Sequence, residues 1–156
     1  MKIRIILIGK NKDQYLDEVM DEFLKRLRPY ADVEFTILKE VSPSATFTKE
    51  KTVEAEGQQI LKSLSPDDFL CVLDEHGKNL DSREFSDLLK KHKDLGQAIT
   101  FVIGGAFGLS EEVKSRANLL LSFSKMTFTH QMIRIFLVEQ IYRGVCIFLG
   151  KEYHNE

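Results

Sequence analysis

Three glycines within five positions, Gly104, Gly105 and Gly108, follow an apolar run at 98–103 and precede Ser110. Glycine has no Cβ, so such a turn lets the backbone approach a ligand or take a conformation that other residues avoid. The pattern is not a Walker A loop, because no Lys-Ser/Thr pair follows the last glycine. It is not the dinucleotide fingerprint either: the first two glycines are adjacent, and no acidic residue follows a strand about 20 residues later. Taken alone, it is a tight strand-to-helix turn with Ser110 as the helix cap. A polar-aromatic loop follows at 123–129. The last third of the chain carries Arg134, Arg143, Tyr153 and His154. Histidine titrates near neutrality and is the natural proton acceptor. Arginine stays charged and suits a phosphate or a ring oxygen instead. His130 sits at a helix start, where the dipole disfavours its protonation, so it reads as a neutral hydrogen-bonding group. Glu139 and Arg143 are four apart and are spaced for a helix pair. His76 and His92 read as loop and surface residues. Cys71 and Cys146 lie in apolar runs, far apart and without metal-ligand spacing, and read as buried free thiols. No metal site is expected.

The elements that must position these groups alternate. Strands are predicted at 2–8, 32–38, 69–73, 98–103 and 118–122. Helices are predicted at 12–28, 49–64, from Asp81 to about Leu95, and at 130–149. Asp81 and Glu84 have capping-box spacing, and Gly96 closes that helix. The segment 40–48 lacks periodicity and reads as a loop. Short apolar strands joined by helices imply an α/β fold with a mainly parallel sheet covered on both faces. Ligands in such sheets bind beyond the C-terminal ends of the strands, which points to the loops after Leu73 and Ile103. The helix at 130–149 is apolar around most of its circumference. One chain of this size cannot easily bury it, which predicts an isologous dimer along one of its faces.

The chain has 156 residues, is 43% hydrophobic and 29% charged, and fits a single globular domain rather than a disordered or fibrous protein. The apolar start is short and broken by Arg4, so it reads as a strand and not a signal peptide. No apolar run is long enough to span a membrane. A net charge of −2 argues against a general nucleic-acid binder. From Val113 onward, however, Lys and Arg outnumber Asp and Glu by six to three, so any RNA-facing surface is expected in the C-terminal part.

Six pieces occur in order along the chain. They are Leu73-Asp74-x-x-Gly77-Lys78, Ile103-Gly104-Gly105-x-x-Gly108-Leu109, Leu121-Ser122 with Phe123, Ser124, Lys125, Met126, Thr127 and Phe128, His130-Gln131-x-x-Arg134, Glu139-Gln140-x-Tyr142-Arg143, and Tyr153-His154. Each is unspecific. Together they resemble the RlmH family of SPOUT methyltransferases over nearly the whole length. The resemblance implies a single domain over 1–156 with a deep C-terminal trefoil knot, roughly 70–156, a topology that general folding rules would otherwise reject. It implies a homodimer in the cytoplasm that uses S-adenosyl-L-methionine to methylate N3 of a pseudouridine in 23S ribosomal RNA, on the assembled ribosome. Leu73 would then pack on the adenine, and Gly104 and Gly105 would allow close approach of the cofactor. Phe123, Ser124, Lys125, Met126, Thr127 and Phe128 would wrap the adenosine. His154, Tyr153 and Arg143 would serve the substrate, with the tail completing the active site of the partner subunit. Two departures stand out. Thr129 replaces the family's usual proline and can still cap a helix. Gly144 replaces a frequent alanine at a cost of about 1 kcal/mol, and is expected to permit closer packing across the dimer. Two other readings remain open: a non-catalytic RNA- or ribosome-binding protein that keeps the fold, and a small α/β enzyme for another nucleotide or a flavin.

Overall fold

The computed structural model describes residues 1–44 and 46–153, so His154 lies outside the described residues. In chain order the elements are β1 (Lys2–Ile8), α1 (Gln14–Leu27), β2 (Asp32–Leu38), α2 (Lys49–Ser63), β3 (Phe69–Asn79), α3 (Ser82–Asp94), β4 (Ile99–Ile103), α4 (Glu111–Arg116), β5 (Leu119–Ser122) and α5 (His130–Phe148). The strands form one all-parallel sheet in the order β2-β1-β4-β3-β5. Alternate side chains feed two cores. Ile3, Ile5, Leu7, Cys71, Phe101 and Ile103 meet Leu27 of α1, Phe85 and Leu89 of α3, and Leu137, Ile141 and Val145 of α5. Ile6, Ile8, Leu70, Val72 and Val102 point the other way, onto Ile60 of α2 and Val113 of α4. With both faces covered, β1, β3 and β4 carry almost unbroken apolar runs, as buried parallel strands must.

Local chemistry sets the helix starts. Asp81 and Glu84 form the reciprocal capping box of α3, and Ser110 and Thr129 cap α4 and α5 through their hydroxyls. β3 is longer than the apolar run at 69–73 predicts. The chain loops out after Leu73 and rejoins β5, so that Leu121 pairs with both Leu73 and Lys78. Gly77 makes the approach possible, since a Cβ there would lie 2.7 Å from the backbone of Leu120 and Leu121. Both cysteines are buried and free, and burial pushes the Cys71 thiol up to about 12.

The structure corrects two expectations. His92 is not a surface residue: it is 3% exposed, stacks on Phe69 at 4.0 Å between ring centroids, and faces Gln97 Oε1 at 3.0 Å. Gly144 does not open space for a second chain. A Cβ there would meet Leu89 Cδ1 at 2.8 Å, and its carbonyl accepts a 2.7 Å bond from Ser86 Oγ, so the close approach is between α5 and α3. The helix α5, as its all-round apolar sequence leads one to expect, is not enclosed within one chain. Leu137, Val138, Ile141 and Val145 are buried, while Met132, Phe136, Gln140, Arg143 and Ile147 form a stripe that is only partly covered. No helix among the described residues is long and apolar enough to cross a membrane.

Burial holds the imidazoles of His92 and His130 below their ordinary value of 6.5. The unfolded chain therefore takes up protons first as pH falls. Stability from these two groups is fully present above pH 6.5 and declines as pH drops through their lower folded values. Urea unfolding followed at successive pH values should show this decline, and His92→Phe should flatten it. An unchanged slope in that variant would remove His92 as a cause.

Candidate functional site

The irregular middle of β3 after Leu73 and the C-terminal ends of β4 and β5 open into one cavity of about 780 Å³. That size is typical of small-molecule and cofactor sites, which span roughly 300–1,000 Å³. Leu73 and Asp74 line it from β3, and the turn from Gly104 to Leu109 lines it from β4. Leu121 and Ser122 close it from β5, with Phe123, Ser124, Met126, Thr127 and Phe128 from the following loop. His130, Gln131 and Ile133 complete it from the start of α5. Of the nine residues expected at the cofactor, eight line this cavity. Lys125 does not.

The glycine turn owes its residues to the chain's own packing. A Cβ on Gly104 would lie 2.7 Å from Leu109 Cγ and 2.8 Å from the Gly108 carbonyl oxygen. One on Gly105 would lie 2.6 Å from Glu56 Oε2. Gly108 has φ +86°, a left-handed conformation that side chains disfavour. The turn is thus held tight from within, and its backbone faces the cavity. On the opposite wall, Ser122 Oγ donates to the Ser124 carbonyl at 2.8 Å, and Ser124 Oγ accepts from the Met126 amide at 2.9 Å. These bonds shape the loop into a curve whose floor is apolar, from Leu73, Ile103 and Leu121.

The groups expected at the substrate lie elsewhere. Arg143 bonds Glu139 Oε1 at 2.6 Å, Tyr153 donates its hydroxyl to the same oxygen at 3.1 Å, and the Arg143 guanidinium sits 4.9 Å from the Tyr153 ring centre. Burial and the Glu139 carboxylate raise the Tyr153 phenol above its ordinary value, so it remains a protonated donor at neutral pH. Between His130 at the cavity and Arg143 runs about 20 Å of helix, at 1.5 Å per residue. One chain does not bring the two groups together. Arg134, a further candidate for gripping substrate, is 1% exposed and turned inward. It donates to the Ile8 carbonyl at 2.5 Å and to Asn11 Oδ1 at 2.9 Å.

The comparisons with known proteins agree with this geometry. The family described as predicted SPOUT methyltransferases matches residues 1–154. The chain belongs to the SPOUT methyltransferase family. Proteins named ribosomal RNA large subunit methyltransferase H are similar to this SPOUT protein along its full length. The one from Caldicellulosiruptor bescii is 45% identical, over 98% of this chain and 99% of that protein. The one from Clostridium botulinum strain Kyoto is 45% identical over 99% and 100%, and that from Bacteroides thetaiotaomicron 38% over all of both chains. A crystal structure of a putative methylase family protein from Neisseria gonorrhoeae shares the fold, with a TM-score of 0.55 and 14% identity over 90% of this chain and 81% of that one.

Two features of this SPOUT domain escaped the sequence. Lys114 reaches the cavity from α4 and pairs with Asp74 at 3.0 Å. Glu139, expected only to steady a helix, holds both Arg143 and Tyr153. Among the described residues, no group of three or more His, Cys, Asp or Glu is placed to hold a metal.

Proposed function

We propose that this protein methylates N3 of a pseudouridine in large-subunit ribosomal RNA, with S-adenosyl-L-methionine as donor, as a homodimer acting on the assembled ribosome. The observation that carries the reading is the cavity itself. Six of its wall residues form one loop, and its floor is apolar, in a chain similar throughout to proteins named for ribosomal RNA methylation. The residues fit the donor. Leu73 and Phe123 offer apolar surface to a purine, and the backbone from Ser122 to Phe128 offers hydrogen-bonding groups to its edge and to the ribose. The turn from Gly104 presents bare backbone. The donor supplies an electrophilic methyl group on a positively charged sulfur.

N3 of a neutral pseudouridine carries a proton, which must leave before or during in-line attack. Arg143 supplies positive charge for the anionic ring, and Glu139 fixes its orientation. Tyr153 donates rather than accepts a proton, which leaves His154 as the proposed acceptor. The distance from Arg143 to the cavity along α5 favours a composite site, in which one chain holds the donor and the other presents Arg143, Tyr153 and His154. The partly covered stripe on α5, with Met126 at 73% exposure and Phe128 at 44%, is the apolar surface a second copy would cover. The C-terminal thread of such proteins through a knot belongs to the same proposal.

The test is methyl transfer. The purified protein is incubated with labelled donor and with ribosomes that lack the modification, and the product is mapped by mass spectrometry. One methyl on N3 of a single pseudouridine is expected. Label in protein alone, or none on ribosomes, would overturn the reading.

A further inference from the structure

Charge is unevenly shared around the cavity wall. The loop contributes Phe123, Ser124, Met126, Thr127 and Phe128 and no charged side chain to the wall. Elsewhere the wall holds an ion pair, Lys114 Nζ to Asp74 Oδ2 at 3.0 Å, with side chains 22% and 10% exposed, beside Glu75 and His76. Among the described residues, Lys114 is the only lysine or arginine in the wall. Asp74 is held from two sides, since its other oxygen accepts from the His76 amide at 2.9 Å. Burial pushes its carboxyl up, but the His76 amide and the Lys114 ammonium more than offset this and leave it below the usual carboxylate range. The hydrogen bond to Asp74 likewise raises the Lys114 ammonium. The pair is therefore fully charged at neutral pH. Glu111 Oε1 lies 3.3 Å from Lys114 on the solvent side.

We infer that the Lys114–Asp74 pair docks the amino-acid end of the methyl donor, the Lys114 ammonium taking its carboxylate and the Asp74 carboxylate its ammonium. The inference rests on the proposed function, because it assumes that the cavity holds that donor. An α-amino acid carries its two opposite charges on one carbon, and this wall presents the two complementary charges side by side. The four charges then alternate in sign. Charge-assisted hydrogen bonds in a partly dry site are stronger than those in water. The uncharged loop is left for the purine and ribose, so the charged pair sets which way round the donor lies and selects a complete donor over a truncated nucleoside.

Calorimetry with two ligands tests this. S-adenosylhomocysteine has the amino-acid end, and 5′-methylthioadenosine lacks it. The native protein should bind the first more tightly. Lys114→Met keeps the aliphatic stem and should weaken S-adenosylhomocysteine roughly tenfold while leaving 5′-methylthioadenosine unchanged. Lys114→Arg should restore most of the preference. If Lys114→Met does not fold, Asp74→Asn, which keeps an acceptor for the His76 amide, makes the same comparison. Equal weakening of both ligands would reduce the pair to a structural strut and overturn the inference, as would no change in either. If the native protein binds both ligands equally well, the inference fails while the proposed function stands. If it binds neither, the proposed function fails and takes the inference with it.

Discussion

Arg134→Ala should destabilise the protein by about 3–5 kcal/mol, the largest effect expected of any single side chain at the base of the site. The substitution orphans the buried Ile8 carbonyl, worth about 1–3 kcal/mol, and leaves a void where a large side chain was packed. Burial already lowers the Arg134 guanidinium, so the charge is held there at a cost and is tolerated because it ties α5 to the end of β1. Arg134→Met fills the void but still leaves the carbonyl unpaired, and should recover only part of the loss. Thermal unfolding reads the difference, with the alanine variant melting roughly 10 °C lower or more. A change below about 1 kcal/mol would show that the Ile8 carbonyl finds another partner. Because His130 and Gln131 begin the same helix and line the cavity, the folded variant should also bind donor less tightly.

The second large effect concerns the two halves of the proposed site. Gly104→Val places a side chain where Leu109 and the Gly108 carbonyl already stand, and should disable the donor cavity. Arg143→Ala removes the charge proposed to face the substrate while leaving the cavity intact. Each should lower methyl transfer by about 100-fold or more on its own, which corresponds to roughly 2.7 kcal/mol of lost transition-state stabilisation. Coexpressed, the two variants pair at random. Half of the dimers are then mixed, and each mixed dimer holds one intact composite site. Activity should return to about a quarter of the native value. If the mixture shows no more than the sum of the two separate variants, each chain carries its own complete site and the composite arrangement is wrong.

The parallel sheet was legible because its strands are buried on both faces, and unbroken apolar runs such as ILI at 6–8 and FVI at 101–103 have few other uses. The helix caps were legible because capping is local: Asp81, Ser110 and Thr129 bond amides two or three residues away. The extension of β3 was not, since residues 74–79 are mostly polar and pair with β5 only because Gly77 permits contact with a strand over forty positions later. His92 carried a usable signal, lying on one helical face with Phe85 and Leu89, but polarity outweighed spacing in reading it. For the site, the cavity-lining loops were recognisable as motifs, whereas Lys114 looks in sequence like any lysine on a short exposed helix. The role proposed for it emerges only when α4 is packed beside Asp74 of β3. The separation of Arg143 from the cavity was implicit in the length of α5, and the dimer expected from the apolar composition of α5 is the same assembly proposed on the ground of this separation.

Hydrogen exchange on the native protein, with and without saturating S-adenosylhomocysteine, tests most directly whether this cavity is where the methyl donor lies. Slowed exchange should be confined to amides at 73–77, 104–109 and 122–131, the segments that form its walls. Protection of a different surface, or none at saturation, would contradict the account.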